Sequence, residues 1–140
     1  MEGVQLLYTN RNIRMKVYLA SQFARQAEIR HCAEDLISIG WRITSSWLDE
    51  ETDSTEDYAI YAENDLRDID SADAIIFFSG PPYYGDLATV ARGGRHFELG
   101  YAYHSNKLCI IIGSRENLFH YLPNMQRFET WAGFLRYLTV

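Results

Sequence analysis

The sequence predicts an α/β protein, a three-layer sandwich around a parallel sheet of four to five strands. Two runs, Ala74–Phe78 and Leu108–Ile112, are apolar throughout, which is typical of strands covered on both faces. Segments whose apolar residues recur at helical spacing separate these runs from each other and from an earlier alternating run. Strands that alternate with helices indicate a parallel sheet with right-handed crossovers.

The first half of the chain supplies two strands and two helices. Residues 15–20 alternate and predict the first strand, and residues 41–45 predict a short second strand. Apolar positions at helical spacing predict a helix over residues 24–39, which Gly40 ends. The same spacing predicts a second helix over residues 57–70, directly before the first apolar run.

Loops and the remaining elements follow from local composition. The acidic segment 49–56 predicts a flexible loop in the position of a lid. Residues 79–86 cannot continue a strand or a helix, because adjacent prolines remove two backbone donors. A third helix is expected over residues 95–105 and a C-terminal amphipathic helix around residues 131–138, with room for a short fifth strand before it.

Length and composition favour one domain. A chain of 140 residues with 47% apolar content can build a single core, and we expect it over residues 15–140, after an N-terminal extension of residues 1–14. No apolar run approaches the roughly 18 residues of a membrane span, and the N-terminus lacks a signal-peptide core. We therefore expect a cytoplasmic protein with no membrane partner.

Charge and cysteine content exclude several classes of partner. The chain has 13 basic and 19 acidic side chains, a formal charge of −6, and 11 of the acidic residues lie between Asp49 and Asp73. No basic face is left for a DNA or RNA backbone, so polymeric nucleic acid is excluded as a partner. Cys32 and Cys109 lie in apolar segments and are interpreted as buried free thiols.

Cofactor motifs are missing from the sequence. There is no Gly-x-Gly-x-x-Gly after the first strand and no P-loop, and no histidine, cysteine or carboxylate set has the spacing of metal ligands. We expect no metal and no cofactor.

Glu98 and Asp65 are the leading candidates for chemistry. Glu98 stands on an otherwise small and apolar helix face, just after the glycine pair 93–94. The carboxyl ends of parallel strands meet at one edge of the sheet, which would gather Tyr18, Ser21, the second helix and Glu98 around one crevice. Two carboxyl groups there can act as nucleophile and proton donor at a sugar carbon. The alternative from the residues alone is that Glu98 caps its helix and Asp65 is a solvated charge.

Three motifs occur in a fixed order within residues 15–112. They are Val17-Tyr18-Leu19-Ala20, Asn64-Asp65-Leu66 with Ile69 and Ala72-Asp73, and Phe97-Glu98-Leu99-Gly100-Tyr101-Ala102 followed by Asn106-Lys107. In this order and spacing they resemble the nucleoside 2-deoxyribosyltransferase-like superfamily. The resemblance implies a flavodoxin-like, Rossmann-like fold and a homo-oligomer that cleaves or transfers the N-glycosidic bond of a small-molecule nucleoside or nucleoside 5′-monophosphate.

The resemblance also implies roles for three residues. The glutamate that matches Glu98 is the nucleophile that attacks the anomeric carbon and leaves a glycosyl-enzyme. The aspartate that matches Asp65 contacts the base and assists proton transfer, and the tyrosine that matches Tyr18 helps to hold the nucleophile. Glu98, Asp65 and Tyr18 are therefore the predicted catalytic residues.

Arg92 departs from the family pattern. Deoxyribosyltransferases of this superfamily carry an aspartate six residues before the nucleophile, and the nucleotide N-glycosidase branch carries a serine there. Arg92 and Arg95, beside Gly94 at a helix N-terminus, suit an anionic group such as a 5′-phosphate and favour a nucleotide. Pairing of either arginine with the acidic segment is the structural alternative.

The remaining predicted substrate-binding residues lie on loops at the same sheet edge. They are Ser21, Gln22 and Phe23 after the first strand, Ser79 after the third, and Asn117 after the fourth. His96 is interpreted as a surface or cap residue, while Tyr83 and Tyr84 are equally suited to stacking on a base and to packing at the sheet edge.

Two function classes remain open. The first is an enzyme that acts on an N-glycosidic bond, which the pattern of Tyr18, Asp65 and Glu98 favours. The second is a non-catalytic protein that sequesters or senses a nucleotide or an NAD-derived ligand on the same scaffold, which Arg92 favours.

Overall fold

Five parallel strands form one sheet within the described part of the chain. The computed structural model describes residues 14–51, 58–80 and 93–139. The strands are β1 (Lys16–Ala20), β2 (Arg42–Ile43), β3 (Ala74–Phe78), β4 (Leu108–Ile112) and β5 (Met125–Phe128), in the order β2-β1-β3-β4-β5. The predicted α/β class is confirmed, and the room left for a fifth strand is occupied by β5.

Helices cover both faces of the sheet. They are α1 (Gln26–Ser38), α2 (Tyr58–Asp70), α3 (Gly94–His104) and α4 (Trp131–Thr139). Right-handed crossovers place α1 on one face and α2 with α3 on the other. Hydrogen bonds join neighbouring helices. Trp131 Nε1 on α4 donates to Asp35 on α1 at 2.9 Å, and the Tyr101 hydroxyl on α3 donates to Asp70 on α2 at 2.7 Å.

The central strands form the core between these layers. Every residue of β3 and β4 is buried, as is every residue of β1 after Lys16. Strand β3 lies between β1 and β4, with Ala74 opposite both Val17 and Leu108. A strand that is paired on both edges and covered on both faces reads as a continuous apolar run, and the boundaries of β3 and β4 agree with the sequence prediction.

Strand β2 is shorter than the predicted 41–45. The Thr44 amide still donates to the Val17 carbonyl at 2.9 Å, but the next backbone donor on β1, Leu19 N–H, is taken by the Ser45 hydroxyl at 2.6 Å. A side-chain acceptor replaces the strand partner, so the chain leaves the sheet and enters the 3-10 turn Ser46–Asp49.

Two glycines with positive φ mark helix ends. Gly40 follows α1 with a φ of +95°, a left-handed conformation that favours glycine, so its predicted role at the helix end is confirmed. Gly93 precedes α3 with a φ of +104°. The predicted first helix begins later than expected, because residues 23–25 form a 3-10 turn and α1 begins at Gln26.

Part of the predicted lid is ordered. Asp49 belongs to the 3-10 turn Ser46–Asp49, in which Trp47 and Leu48 are buried, so the turn is anchored in the core rather than a free loop. The rest of the segment from residue 52 onward lies outside the described residues, as do Tyr83, Tyr84 and Arg92.

The two cysteines are buried free thiols, as predicted. Burial raises the pKa of both Cys32 and Cys109 to about 12, so both are neutral packing residues at physiological pH. Within the described helices, none is long and apolar enough to cross a membrane.

Candidate active site

A pocket opens on the side of the sheet that carries α2 and α3. Neighbouring strands β1 and β3 lead into crossovers that run in opposite directions, and a crevice forms where this happens at the carboxyl edge. The described residues that line the pocket are Tyr18, Ser21, Phe23, Trp47, Glu50, Tyr58, Tyr61, Asp65, Gly94 and Glu98. Strand β1, the turn after β2 and helices α2 and α3 all contribute.

Glu98 is held by the phenol of Tyr18. The Tyr18 hydroxyl donates to Glu98 Oε2 at 2.6 Å, across 80 positions of sequence. Tyr18 is fully buried in the middle of β1, and its pKa is raised well above the usual value by burial and by the charge of Glu98. The phenol therefore stays protonated and serves as a fixed donor.

Asp65 completes a carboxyl pair with Glu98. Both side chains line the pocket and influence each other's charge, and a hydrogen bond between two carboxyl groups requires a proton on one of them. Burial raises the pKa of both groups. The charge of Asp65 adds to the effect on Glu98, and the charge of Glu50 adds to the effect on Asp65. The pair thus titrates as a unit above the range of ordinary carboxyl groups.

Aromatic rings form the walls of the pocket. Phe23 and Trp47 pack against each other with ring centroids 6.3 Å apart, and Trp47 Nε1 donates to the Leu19 carbonyl at 2.7 Å. Tyr58 and Tyr61 line the pocket from α2. Flat apolar walls beside a few polar groups are typical of sites for planar ligands.

Four lining residues were absent from the predicted site: Trp47, Glu50, Tyr58 and Tyr61. The sequence did carry a signal for two of them, because Tyr58, Tyr61 and Asp65 recur at helical spacing and share one face of α2. Trp47 is both buried and part of the pocket wall. No local pattern marks Glu50.

The loop after β1 reaches the pocket as expected. Ser21 and Phe23 line it, and the buried Ser21 hydroxyl has no hydrogen-bond partner among the described residues. Buried hydroxyls normally have partners, so this oxygen is available to a ligand. Gln22 is buried, and its carbonyl accepts from the Arg25 amide at 2.9 Å.

Arg95 lies apart from the carboxyl pair. Its side chain is 5% exposed and forms an ion pair with Glu116 at 2.8 Å, with the guanidinium 4.9 Å from the ring centroid of Phe77. It is not among the described residues that line the pocket, whereas Gly94 at the start of α3 is. Glu116 also accepts from the Gly80 amide at 2.9 Å, so Arg95 and Glu116 connect α3 to the ends of β3 and β4.

Asn117 and His96 belong to a second cavity, on the flank of α3. The Asn117 side chain accepts from the Phe119 amide at 2.9 Å, which begins the 3-10 turn Leu118–Tyr121. The His96 ring stacks on the buried His120 ring with centroids 5.5 Å apart. The structure therefore does not bring Asn117 to the pocket of Glu98.

Ser79 joins the ends of β3 and β4. Its amide donates to the Ile112 carbonyl at 2.9 Å and its hydroxyl donates to the Ser114 carbonyl, while its own carbonyl accepts from Arg25 Nη1 at 2.8 Å. These bonds hold the sheet edge next to the pocket.

Known structures resemble this chain. A 2-deoxyribosyltransferase from Bacillus psychrosaccharolyticus superposes with a TM-score of 0.63 at 26% identity, covering 86% of this chain and 90% of that one. The CMP N-glycosidase BcmB of Clostridium botulinum shares the fold with a TM-score of 0.54 at 21% identity, covering 88% of this chain and 97% of that one. Both are nucleoside 2-deoxyribosyltransferase-like proteins, so the resemblance predicted from the motifs is confirmed. No protein-family model matches the chain, and a search of curated proteins finds no match.

Proposed function

We propose that this protein, which shares its fold and sequence motifs with the nucleoside 2-deoxyribosyltransferase-like superfamily, breaks an N-glycosidic bond with Glu98 as nucleophile. The similarity to a 2-deoxyribosyltransferase at 26% identity supports an enzyme that acts on a nucleoside or nucleotide. The observation that carries the proposal is the position of Glu98, between the phenol of Tyr18 and the carboxyl of Asp65 at the base of an aromatic pocket.

In the first step, a carboxylate oxygen of Glu98 attacks the anomeric carbon of the sugar. The bond from that carbon to the base nitrogen breaks, and the base leaves with the electron pair and takes the proton that Asp65 carries. The Tyr18 hydrogen bond keeps Glu98 oriented and favours its ionised form. The product is a glycosyl ester of Glu98 and a free, neutral base.

In the second step, a water molecule or a second base attacks the same carbon. The ester bond to Glu98 breaks, and the carboxylate of Asp65 takes the proton from the attacking group. Water gives hydrolysis and a second base gives transfer. Both outcomes use the same two carboxyl groups.

The 5′ side of the substrate is assigned to the start of α3. Gly94 lines the pocket there, and the free amides of a helix N-terminus favour an anionic group such as a 5′-phosphate. Arg92 would add a guanidinium, although it lies outside the described residues, and Arg95 would act by holding α3 in place through Glu116. This part of the proposal distinguishes a nucleoside monophosphate from a free nucleoside.

We also propose that the protein is a cytoplasmic homo-oligomer. Large apolar side chains are exposed on the flank of α3 and on the turn that follows β4, namely Phe97, Leu118, Phe119 and Tyr121. Clustered exposed apolar residues favour an interface. Sedimentation of the purified protein tests this, and a monomer at micromolar concentration would contradict it.

The activity is tested by incubating the protein with nucleosides, their 5′-monophosphates and NAD, with and without an acceptor base, followed by chromatography. Free base without acceptor indicates a hydrolase, and base exchange indicates a transferase. Unchanged ligand that co-purifies with the protein indicates the non-catalytic binder.

The variant Glu98→Gln keeps the shape of the side chain and removes the anionic nucleophile. We expect kcat to fall on the order of a hundredfold or more, with the circular dichroism spectrum unchanged. Glu63→Gln is the matched control, because Glu63 is exposed on α2 and does not line the pocket. Full turnover by Glu98→Gln would remove Glu98 from the mechanism.

A further inference from the structure

We propose that Glu116, which lies outside the pocket, is a positioning residue that sets the place of the Glu98 carboxyl. The inference rests on the proposed function, in which Glu98 is the nucleophile. Glu116 follows β4 and is not among the described residues that line the pocket. Its link to Glu98 is Arg95, which lies three residues earlier on α3.

Glu116 joins three parts of the fold. Its two carboxylate oxygens accept from Arg95 Nη2 at 2.8 and 2.9 Å, and Oε2 also accepts from the Gly80 amide, after β3, at 2.9 Å. Its own amide donates to Nδ1 of the buried His120 at 2.9 Å. The start of α3 is thereby tied to the chain segments that follow β3 and β4.

Arg95 transmits this attachment to the first turn of α3. Its side chain is 5% exposed, and its guanidinium lies 4.9 Å from the ring centroid of Phe77 on β3. A buried guanidinium needs a partner of opposite charge, and among the described residues Glu116 is the carboxylate that pairs with it. The N-cap residue of α3 is Gly93, which has no side chain to cap the helix. The ion pair therefore fixes a helix start that lacks a side-chain cap.

The same part of α3 places the nucleophile. Gly94 and Glu98 lie on either side of Arg95 in the sequence, and both line the pocket. Successive turns of an α-helix move together, so a shift at Arg95 displaces Glu98. The Tyr18 hydroxyl donates to Glu98 at 2.6 Å, and this bond is lost when the two groups move apart by about 1 Å. Misplacement of a reacting group by about 1 Å lowers a rate on the order of a hundredfold.

A positioning role separates turnover from binding of the base. The aromatic walls of the pocket lie on other elements and are formed by Phe23, Trp47, Tyr58 and Tyr61. Loss of the Glu116 carboxylate should therefore lower kcat by a larger factor than it raises KM. Displacement of Glu98 also weakens the Tyr18 bond that lowers its pKa, whereas burial and Asp65 raise that pKa. The acidic limb of the kcat profile should therefore move to higher pH.

The experiment compares three variants with the wild type. Glu116→Gln keeps the size of the side chain and removes its charge, which leaves Arg95 buried without a charged partner. The double variant Arg95→Met with Glu116→Gln leaves no unpaired cation, so its Tm should recover, but α3 stays detached from Glu116. Glu129→Gln makes the same charge change at an exposed position outside the pocket. Tm, kcat, KM and the pH profile are measured on the best substrate among the nucleosides and nucleotides.

We expect kcat to fall by about tenfold or more in Glu116→Gln and to stay low in the double variant although its Tm recovers. The acidic limb should lie at higher pH in both, while Glu129→Gln should match the wild type. A double variant with wild-type kcat and pH profile overturns the assignment, because Glu116 then contributes stability alone. Unchanged kcat in Glu116→Gln overturns it as well.

A measurement without turnover separates this inference from the proposed function. The Glu98 carboxyl is titrated by carboxyl-carbon NMR in glutamate-labelled protein, and Glu98→Gln identifies its resonance. A Glu98 pKa above the wild-type value in Glu116→Gln and in the double variant, but not in Glu129→Gln, supports the inference. An unchanged or lower pKa overturns it. If the wild type cleaves no substrate, the proposed function fails, and this titration alone decides the role of Glu116.

Discussion

The Glu98 carboxyl has two neighbours of different kinds, the phenol of Tyr18 and the carboxyl of Asp65. The Tyr18 phenol stabilises its ionised form, while burial and the Asp65 carboxyl favour its protonated form. In the proposed mechanism these opposing effects allow one carboxyl group of the pair to be ionised while the other carries a proton, because the loss of charge on one carboxyl favours charge on the other. The proposed chemistry therefore depends on three side chains rather than on Glu98 alone.

Replacement of Tyr18 by phenylalanine tests the hydrogen bond to Glu98. The change removes the bond that lowers the pKa of Glu98, so that pKa rises further. Glu98 must be ionised to attack, and the acidic limb of the kcat/KM profile is expected to move to higher pH. The profile is measured on one substrate between pH 5 and pH 9. Tyr103→Phe on α3 removes a hydroxyl outside the pocket, and the acidic limb of its kcat/KM profile should stay at the wild-type pH. A shift to lower pH for Tyr18→Phe would contradict the assigned bond.

Replacement of Asp65 by asparagine tests the proton donor. The variant keeps a hydrogen-bonding side chain and cannot pass a proton to the departing base. We expect a larger loss of kcat for bases that leave poorly than for bases that leave readily, measured across a series of substituted nucleosides. The control is Glu63→Gln, because Glu63 is exposed on the same helix and is not among the described residues that line the pocket. Equal slowing across the series would make Asp65 a structural residue.

The turn between β2 and α2 is the element that shapes one side of the pocket. It holds Trp47 and Glu50 in place although β2 itself has only two residues, Arg42–Ile43. Its backbone carbonyls accept hydrogen bonds from the side chains of Gln26 and Arg30 on α1. A helix that does not itself line the pocket thus helps to hold the turn, together with Asp68 of α2, which accepts from the Ser46 amide at 3.0 Å.

Gln26→Ala tests this support. The change removes two hydrogen bonds to carbonyls of the turn, and we expect the free energy of unfolding to fall by about 1–3 kcal/mol in urea titrations. Glu34→Ala is the control, since Glu34 is exposed on the same helix and pairs only with the exposed His31 among its described contacts. A Gln26→Ala variant as stable as wild type would show that the turn is held by other contacts.

At the scale of the whole molecule, the site makes stability depend on pH. The folded pKa of Glu98 is raised above its usual value, so the stability linked to its protonated form is present in acid and is lost as pH rises through that folded pKa. The amide side chain introduced by Glu98→Gln carries no charge at any pH in this range. The difference in Tm between Glu98→Gln and wild type should therefore grow from pH 4 to pH 9.

Thermal unfolding across this pH range provides the measurement. Glu63→Gln supplies the baseline, because its difference from wild type should stay small and constant at an exposed position. A difference between Glu98→Gln and wild type that shrinks as pH rises would show that Glu98 is not held in an environment that disfavours its charge.

The sequence by itself determined the layer structure and the leading candidate residue. Strands β3 and β4 were predictable to the residue because burial on both faces requires an unbroken apolar run, and Gly40 marked the end of α1 because its left-handed φ favours glycine. Glu98 was conspicuous as a lone carboxyl on an otherwise small and apolar helix face.

Only the tertiary structure decided which side chains meet. Tyr18 and Glu98 lie 80 positions apart, and their contact depends on how the crossovers place α3 beside β1. Arg95 seemed suited to a ligand, yet it is paired with Glu116, and Glu50 became part of the pocket through the turn that Gln26 holds. Periodicity reports which face of an element is buried, because that depends on local geometry. Partners across a pocket depend on the packing of distant elements, which no local pattern encodes.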